Sequence, residues 1–317
     1  MIITPTFTAA FNANFGANAV AAQNAWIAAA AVLASNFSDN IHVNITVDAV
    51  PGTSVFGMSD EIFGSLSYHS LYNAVVADAK TPDDATAIGA GGSVTSVDPI
   101  GGTWVVSRPQ AKALGLIPDD LINDGATTFG AGYNFSFSGT PTGGAYDFQG
   151  LAMHEMSEVM GRLGVSGLLN QFSLIDEFSY FGPSTRQALG GASNYFSIDN
   201  GTTLLKLFND NVLTGLTSRD WAPSSQGGDG SPDAFNQYSS PNVINGLTAV
   251  DLRAMDVIGY DRVASAAPSV PEPSTGILLI PTLATVIVVV RRRISPQPMR
   301  TPLVAYSTPD EKQLAKP

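Results

Sequence analysis

Asp147-Phe148-Gln149-Gly150-Leu151-Ala152-Met153-His154-Glu155-Met156-Ser157-Glu158-Val159-Met160-Gly161-Arg162 is the stretch around which the rest of the chain is read. It predicts a helix. Asp147 is a capping residue, Gly143-Gly144 supply a turn before it, and Leu151, Val159, Met160 and Leu163 are apolar positions for burial. On such a helix His154 and Glu158 lie one turn apart on one face, and Glu155 is the next residue round. Two converging ligands with a carboxylate beside them is the arrangement that metal-assisted hydrolysis needs. Gly161 suits a sharp exit after the helix, towards a third ligand from elsewhere. The competing interpretation is a surface helix that carries a charged stripe.

With 317 residues, 44% hydrophobic and 13% charged, the chain can bury one or two domain cores. Its net charge of −12 argues against a nucleic-acid partner. The absence of cysteine removes disulfides, thiolate metal sites and cysteine nucleophiles together. The histidines are His42, His69 and His154, so a metal site here is rich in carboxylates.

Along the chain, Met1–Phe7 reads as a first strand, without the basic region and apolar core of a signal peptide. The alanine-rich stretch Ala17–Ser35 predicts a buried helix. Ile41–Asp48 alternates as a half-buried strand does, with His42 on the polar side. Tyr68–Ala79 reads as a helix with His69 near its start at the surface, and neither histidine is expected to ligate. A short helix is expected over Asp83–Ala87, a strand over Gly101–Ser107, a helical turn over Gln110–Leu116, and a strand or hairpin over Thr127–Ser138, beside a substrate cleft. Leu247–Ile258 predicts an amphipathic helix capped by Thr248, with Asp251 in its first turn.

Beyond Ala264 the composition is that of an Ala/Ser/Pro linker, and Gly276–Val290 is apolar up to Arg291-Arg292-Arg293. This divides the chain into a domain over 1–262, a linker over 263–275, a transmembrane segment over 276–290 and a basic cluster with tail over 291–317. Pro271-Glu272-Pro273, the apolar segment and the arginines together resemble a PEP-CTERM sorting signal. That resemblance implies export, an exosortase-type sorting partner, and anchoring at the cell envelope or release outside the cell.

The body from Ile3 to Tyr260 resembles a family of metalloproteases that carry this signal, most sharply at His154-Glu155-Met156-Ser157-Glu158-Val159-Met160-Gly161-Arg162. Further matches are Asp176 with Phe178 and Tyr180, Tyr195–Asp199, Asp220-Trp221, and Leu247 through Tyr260. The spacing also resembles the metzincin pattern, with Glu158 in place of a second histidine and Gly164 where a third ligand would stand. The resemblance implies an α+β, zincin-like fold: a twisted mixed sheet, an active-site helix and an irregular C-terminal lobe. It implies a zinc endopeptidase acting on protein or peptide, with His154 and Glu158 as ligands and Glu155 as general base. Asp176 is the candidate third ligand, ahead of Asp147 and Glu177, with a turn aspartate as its plain alternative. Two anionic ligands would leave bound water less acidic than three histidines do, which favours an optimum above neutral pH or a metal that prefers oxygen. The rivals are an inactive zincin-like surface or matrix protein and a calcium-binding module.

Overall fold

The computed structural model describes residues 1–165, 170–189, 191–210 and 219–263, and the backbone of 288–291. The first unit is a parallel crossover. Strand β1 (Ile2–Phe7) leads into helix α1 (Ala9–Phe15), whose first turn is capped by the Thr8 hydroxyl, and then into α2 (Ala19–Ala34). The chain returns as β2 (His42–Val50), which pairs in parallel with β1 from Ile2↔His42 to Phe7↔Val47. Ala9–Ala34 is long and apolar enough to cross a membrane by length and composition alone. Its inner face is packed: Phe11, Ala22, Trp26, Ala29 and Leu33 are fully buried, and small alanines let α2 lie close to its neighbours.

The next elements are β3 (Gly57–Leu66), α3 (Tyr68–Asp78), α4 (Pro82–Ile88), β4 (Thr103–Ser107), α5 (Arg108–Ala113) and β5 (Gly125–Gly130). Short strands β6 (Phe135–Ser136) and β7 (Tyr146–Asp147) pair with each other and lead into α6 (Phe148–Val159). After it come β8 (Gln171–Ser173), β9 (Ser179–Gly182), β10 (Thr185–Arg186), β11 (Tyr195–Phe196), β12 (Lys206–Leu207), α7 (Ala249–Val257) and β13 (Val288–Arg291).

The main sheet runs β1-β2-β5-β3-β4-β8, and β9 to β12 form a second, smaller sheet in the order β10-β9-β11-β12. The fold is therefore mixed α+β. Strands β1, β2 and β5 are parallel, whereas β3 runs antiparallel to β5, from Gly57↔Phe129 to Glu61↔Gly125. Asp60 has Ala126 on one side and Arg291 on the other, and Phe63 has Ser107 and Val288. Strands β5 and β4 thus lie end to end along one edge of β3, and β13 lies on its opposite edge.

Helix α6 packs on β3, β5 and α2. Its start is seated in an aromatic cluster: the Phe148 ring lies 4.8 to 5.8 Å from those of Phe15, Phe129, Phe135 and Phe137. Its far end meets α7 territory, where the Tyr260 hydroxyl donates to the Met160 carbonyl at 2.7 Å. Thr248 and Asp251 form a reciprocal cap at the start of α7, as the sequence suggests.

One expectation needs correction. Thr127–Ser138 is not one strand or hairpin: β5 belongs to the main sheet, and β6 turns away to pair with β7. The strand against the candidate site helix is β3, which the apolar pattern does not reveal. Of the expected transmembrane segment, 276–287 lies outside the described residues, and Val288–Val290 are extended in β13 rather than helical. The linker beyond Val263 and the tail beyond Arg291 also lie outside the described residues.

Candidate metal centre

The Asp147 carboxylate caps α6 by accepting from Gln149 N at 3.1 Å, and its other oxygen accepts from Asn245 N at 2.9 Å. One side chain thus fixes the start of the helix and ties it to the loop before α7. Asp147 is consumed in that structural role. At the other end Gly161 adopts φ +101°, a backbone conformation L side chains rarely adopt, and the chain leaves the helix sharply. No face of α6 is a solvent stripe, because every residue from Gly150 to Val159 is buried.

His154, Glu158 and Asp220 converge. One ligand atom from each lies within 4.8 Å of the others, and no other such group of three occurs among the described residues. His154 Nε2 is 3.5 Å from Glu158 Oε1 and 3.3 Å from Asp220 Oδ1. Its Nδ1 is 2.8 Å from the Ala234 carbonyl, so Nδ1–H donates there and the ring is held with Nε2 facing the two carboxylates. Nε2 itself has no hydrogen-bond partner although it is buried.

Glu155 projects beside this trio and over β3. A Cβ added at Gly57 would stand 2.0 Å from Glu155 Oε1, so only glycine leaves room for that carboxylate. Both Glu155 oxygens are buried without a hydrogen-bond partner. Two residues further along the same face of β3, Ser59 Oγ lies 2.6 Å from Glu158 Oε2 and 2.5 Å from Glu61 Oε1. Gly57, Ser59 and Glu61 are successive inward positions of one strand.

The surrounding charge is unbalanced. Glu61, Glu155, Glu158 and Asp220 are buried together, and the neighbouring cation is Arg162, which ion-pairs with Asp220 at 2.9 Å and approaches Glu158 at 3.8 Å. Arg162 is itself held by Ser157 Oγ at 2.8 Å and by the Phe235 ring, 4.3 Å below its guanidinium carbon. Burial works against a charge on His154, but Asp220, with help from Glu158, outweighs it and lifts the imidazole to about 10. Burial, then the charge of Glu158, pushes the Glu155 carboxyl well above its ordinary value. The neighbouring carboxylates push both shifts upward, while burial opposes the one on His154 and leads the one on Glu155.

Asp176 is not part of this group. Its Oδ1 accepts from Arg219 Nε at 2.9 Å and its Oδ2 from Ser173 N at 2.9 Å, so it is a capping aspartate locked to a buried arginine. Asp220, the next residue after Arg219, stands where a third ligand was sought. Glu177 is buried against the Tyr68 hydroxyl at 2.5 Å, and burial lifts it to about 7. His42 pairs with Asp119, and His69 is exposed beside Asn73. Arg162 stands four residues beyond Glu158, one helical turn on, whereas Ser59 and Glu61 carry no spacing signal, and Asp220, though part of the resemblance, stands in an irregular stretch 62 residues beyond Glu158.

Compared with protein-family models, curated proteins and solved structures, the chain matches none.

Proposed function

We propose that this chain is a metal-dependent hydrolase of zincin-like architecture, acting on peptide bonds, with the ion held by His154, Glu158 and Asp220. The observation that carries the reading is the buried, unpartnered Nε2 of His154 facing two carboxylates in a cluster where acidic groups outnumber the one neighbouring arginine. One imidazole nitrogen and two carboxylate oxygens suit zinc, and an ion with a stronger preference for oxygen is the alternative. A helix bearing the ligands, packed on a sheet whose antiparallel strand β3 faces the site, supports the zincin comparison.

When bound, a divalent ion supplies Lewis-acid polarisation of a carbonyl and acidification of water. The chain's own residues supply the rest. Glu155 is the carboxylate placed to take a proton at the centre and return it to a leaving amine. A nearby dication would lower its proton affinity, opposing the burial and Glu158 charge that raise it. The Ala234 carbonyl holds the imidazole orientation, and Arg162 offsets the charge of Asp220. By the sorting-signal reading, the protein is exported and anchored through its C-terminal segment, with exosortase-type machinery as its partner.

A second reading is favoured by the closure of the site. His154, Glu155, Glu158 and Asp220 have 0 to 3% of their surface exposed, which suits a structural metal or a metal-free ion network in a non-catalytic surface protein. Metal analysis of purified protein with a peptide-cleavage assay separates the readings. Stoichiometric zinc with cleavage that a chelator abolishes supports the hydrolase. Metal without cleavage supports a structural centre, calcium in place of zinc the binding module, and no metal the scaffold.

A further inference from the structure

The inward row of β3 does more than fill space beneath α6. Three successive inward positions meet the site glutamates in turn: Gly57 leaves room for Glu155, Ser59 bonds Glu158, and Glu61 bonds Ser59 from behind. Glu158 has the freedom of its side-chain torsions to lose before it can act as a ligand, and burial alone does not choose a rotamer. The Ser59 hydroxyl makes that choice. It grips Oε2 at 2.6 Å and leaves Oε1 as the oxygen 3.5 Å from His154 Nε2. Ser59, Glu61 and Glu158 are at most 1% exposed, so no water competes for these bonds.

We infer that Ser59 is a positioning residue for the metal centre, fixing Glu158 so that Oε1 faces the ion. The inference rests on His154, Glu158 and Asp220 being a metal site, and adds a residue from a different element that no helix motif contains. The row is ordered by distance from the chemistry. Gly57 serves the general base and Ser59 serves a ligand; the single hydroxyl proton of Ser59 goes to Glu158 when Glu61, 2.5 Å away, is itself protonated and donates to Ser59 Oγ. Partners that orient ligating groups are worth roughly 10- to 100-fold in metal affinity.

The test compares Ser59→Thr with Ser59→Val, side chains of one shape that differ by the hydroxyl, and adds Ser59→Ala. Zinc affinity is measured on the full chain by competition with a chromophoric chelator, and cobalt substitution reports the ligand geometry through its visible spectrum. The Thr variant is expected to stay within a few-fold of the wild type with an unchanged cobalt spectrum. The Val and Ala variants are expected to lose roughly 10- to 100-fold in affinity and to shift that spectrum. If a hydroxyl-free variant is partly unfolded without metal, thermal unfolding at rising zinc concentration gives its affinity by linkage. Val or Ala binding zinc as tightly as Thr and wild type overturns the role of Ser59 and leaves the metal centre standing. A wild-type protein that binds no zinc or cobalt overturns the metal centre itself and takes this inference with it.

Discussion

Gly57→Ala tests the packing of Glu155, the proposed general base, without touching a proposed ligand. The added methyl would stand 2.0 Å from Glu155 Oε1, 2.9 Å from its Cδ and 2.8 Å from Leu151 Cδ1. To reach ordinary contact at 3.4 Å the carboxylate oxygen must retreat by roughly 1.4 Å, into a site that is already filled. Over-packing of this kind costs about 1–3 kcal/mol. Replacing glycine within a strand returns about 0.5–1 kcal/mol of backbone entropy, so the net loss should lie in the range of about 0–2.5 kcal/mol. Urea unfolding reads it as a lower midpoint at unchanged slope. If Glu155 is the base, the displacement should also lower kcat on the order of 100-fold, because such chemistry tolerates about 1 Å of misplacement poorly. Zinc stoichiometry should hold, since His154, Glu158 and Asp220 do not touch Gly57. Wild-type stability and wild-type turnover in this variant would refute the apposition of Glu155 and β3.

Glu155→Gln should keep its zinc and lose peptide hydrolysis; retained cleavage, followed by chromatography of the products, removes Glu155 from the mechanism. Asp220→Ala should lose zinc by atomic absorption. Asp176→Ala should instead keep zinc but lose about 3–5 kcal/mol in denaturant unfolding, because it strands the buried Arg219 guanidinium; loss of zinc in a folded Asp176→Ala protein would restore Asp176 as a ligand. The fourth prediction concerns pH. Burial, with a smaller push from neighbouring acids, raises Asp39 to about 6 and Asp78 and Asp256 to about 7. Their folded values exceed the unfolded value of 3.8, so the stability they contribute is complete below about pH 4 and falls as pH rises towards 7. Asp78→Asn should therefore show a shallower loss of urea midpoint between pH 5 and 8 than the wild type; equal slopes would refute the shift.

Where the sequence spoke clearly, local chemistry was the reason. Asp147 caps, α6 ends at Gly161, β2 alternates, and Thr248 with Asp251 closes the start of α7 because each device acts within a few residues. Strand β3 was illegible for the reason that makes it useful. Its inward row reads Gly57, Ser59 and Glu61, so the apolar alternation that marks a half-buried strand is missing. The partner of His154 from outside the helix was illegible in a related way. Asp176 and Asp220 are both aspartates in irregular chain, and only tertiary packing decides which one meets Arg219 and which meets His154. The reading of His154, Glu155 and Glu158 as neighbours on one helix follows from spacing, but the groups they meet, the Ala234 carbonyl, Asp220 and Ser59, come from distant parts of the chain that no spacing predicts.

The adjacency of Arg219 and Asp220 makes these two networks mechanically one. Arg219 holds a left-handed backbone at φ +57°, an uncommon conformation for a residue with a side chain. That twist sends one side chain to Asp176, Ser179 and the Ala188 carbonyl and the next to His154 and Arg162. A single peptide unit thus joins two buried polar clusters. Drawing Asp220 towards an ion would turn the same peptide that seats Arg219, so the order of the segment from Ser173 to Ala188 should register whether the centre is filled.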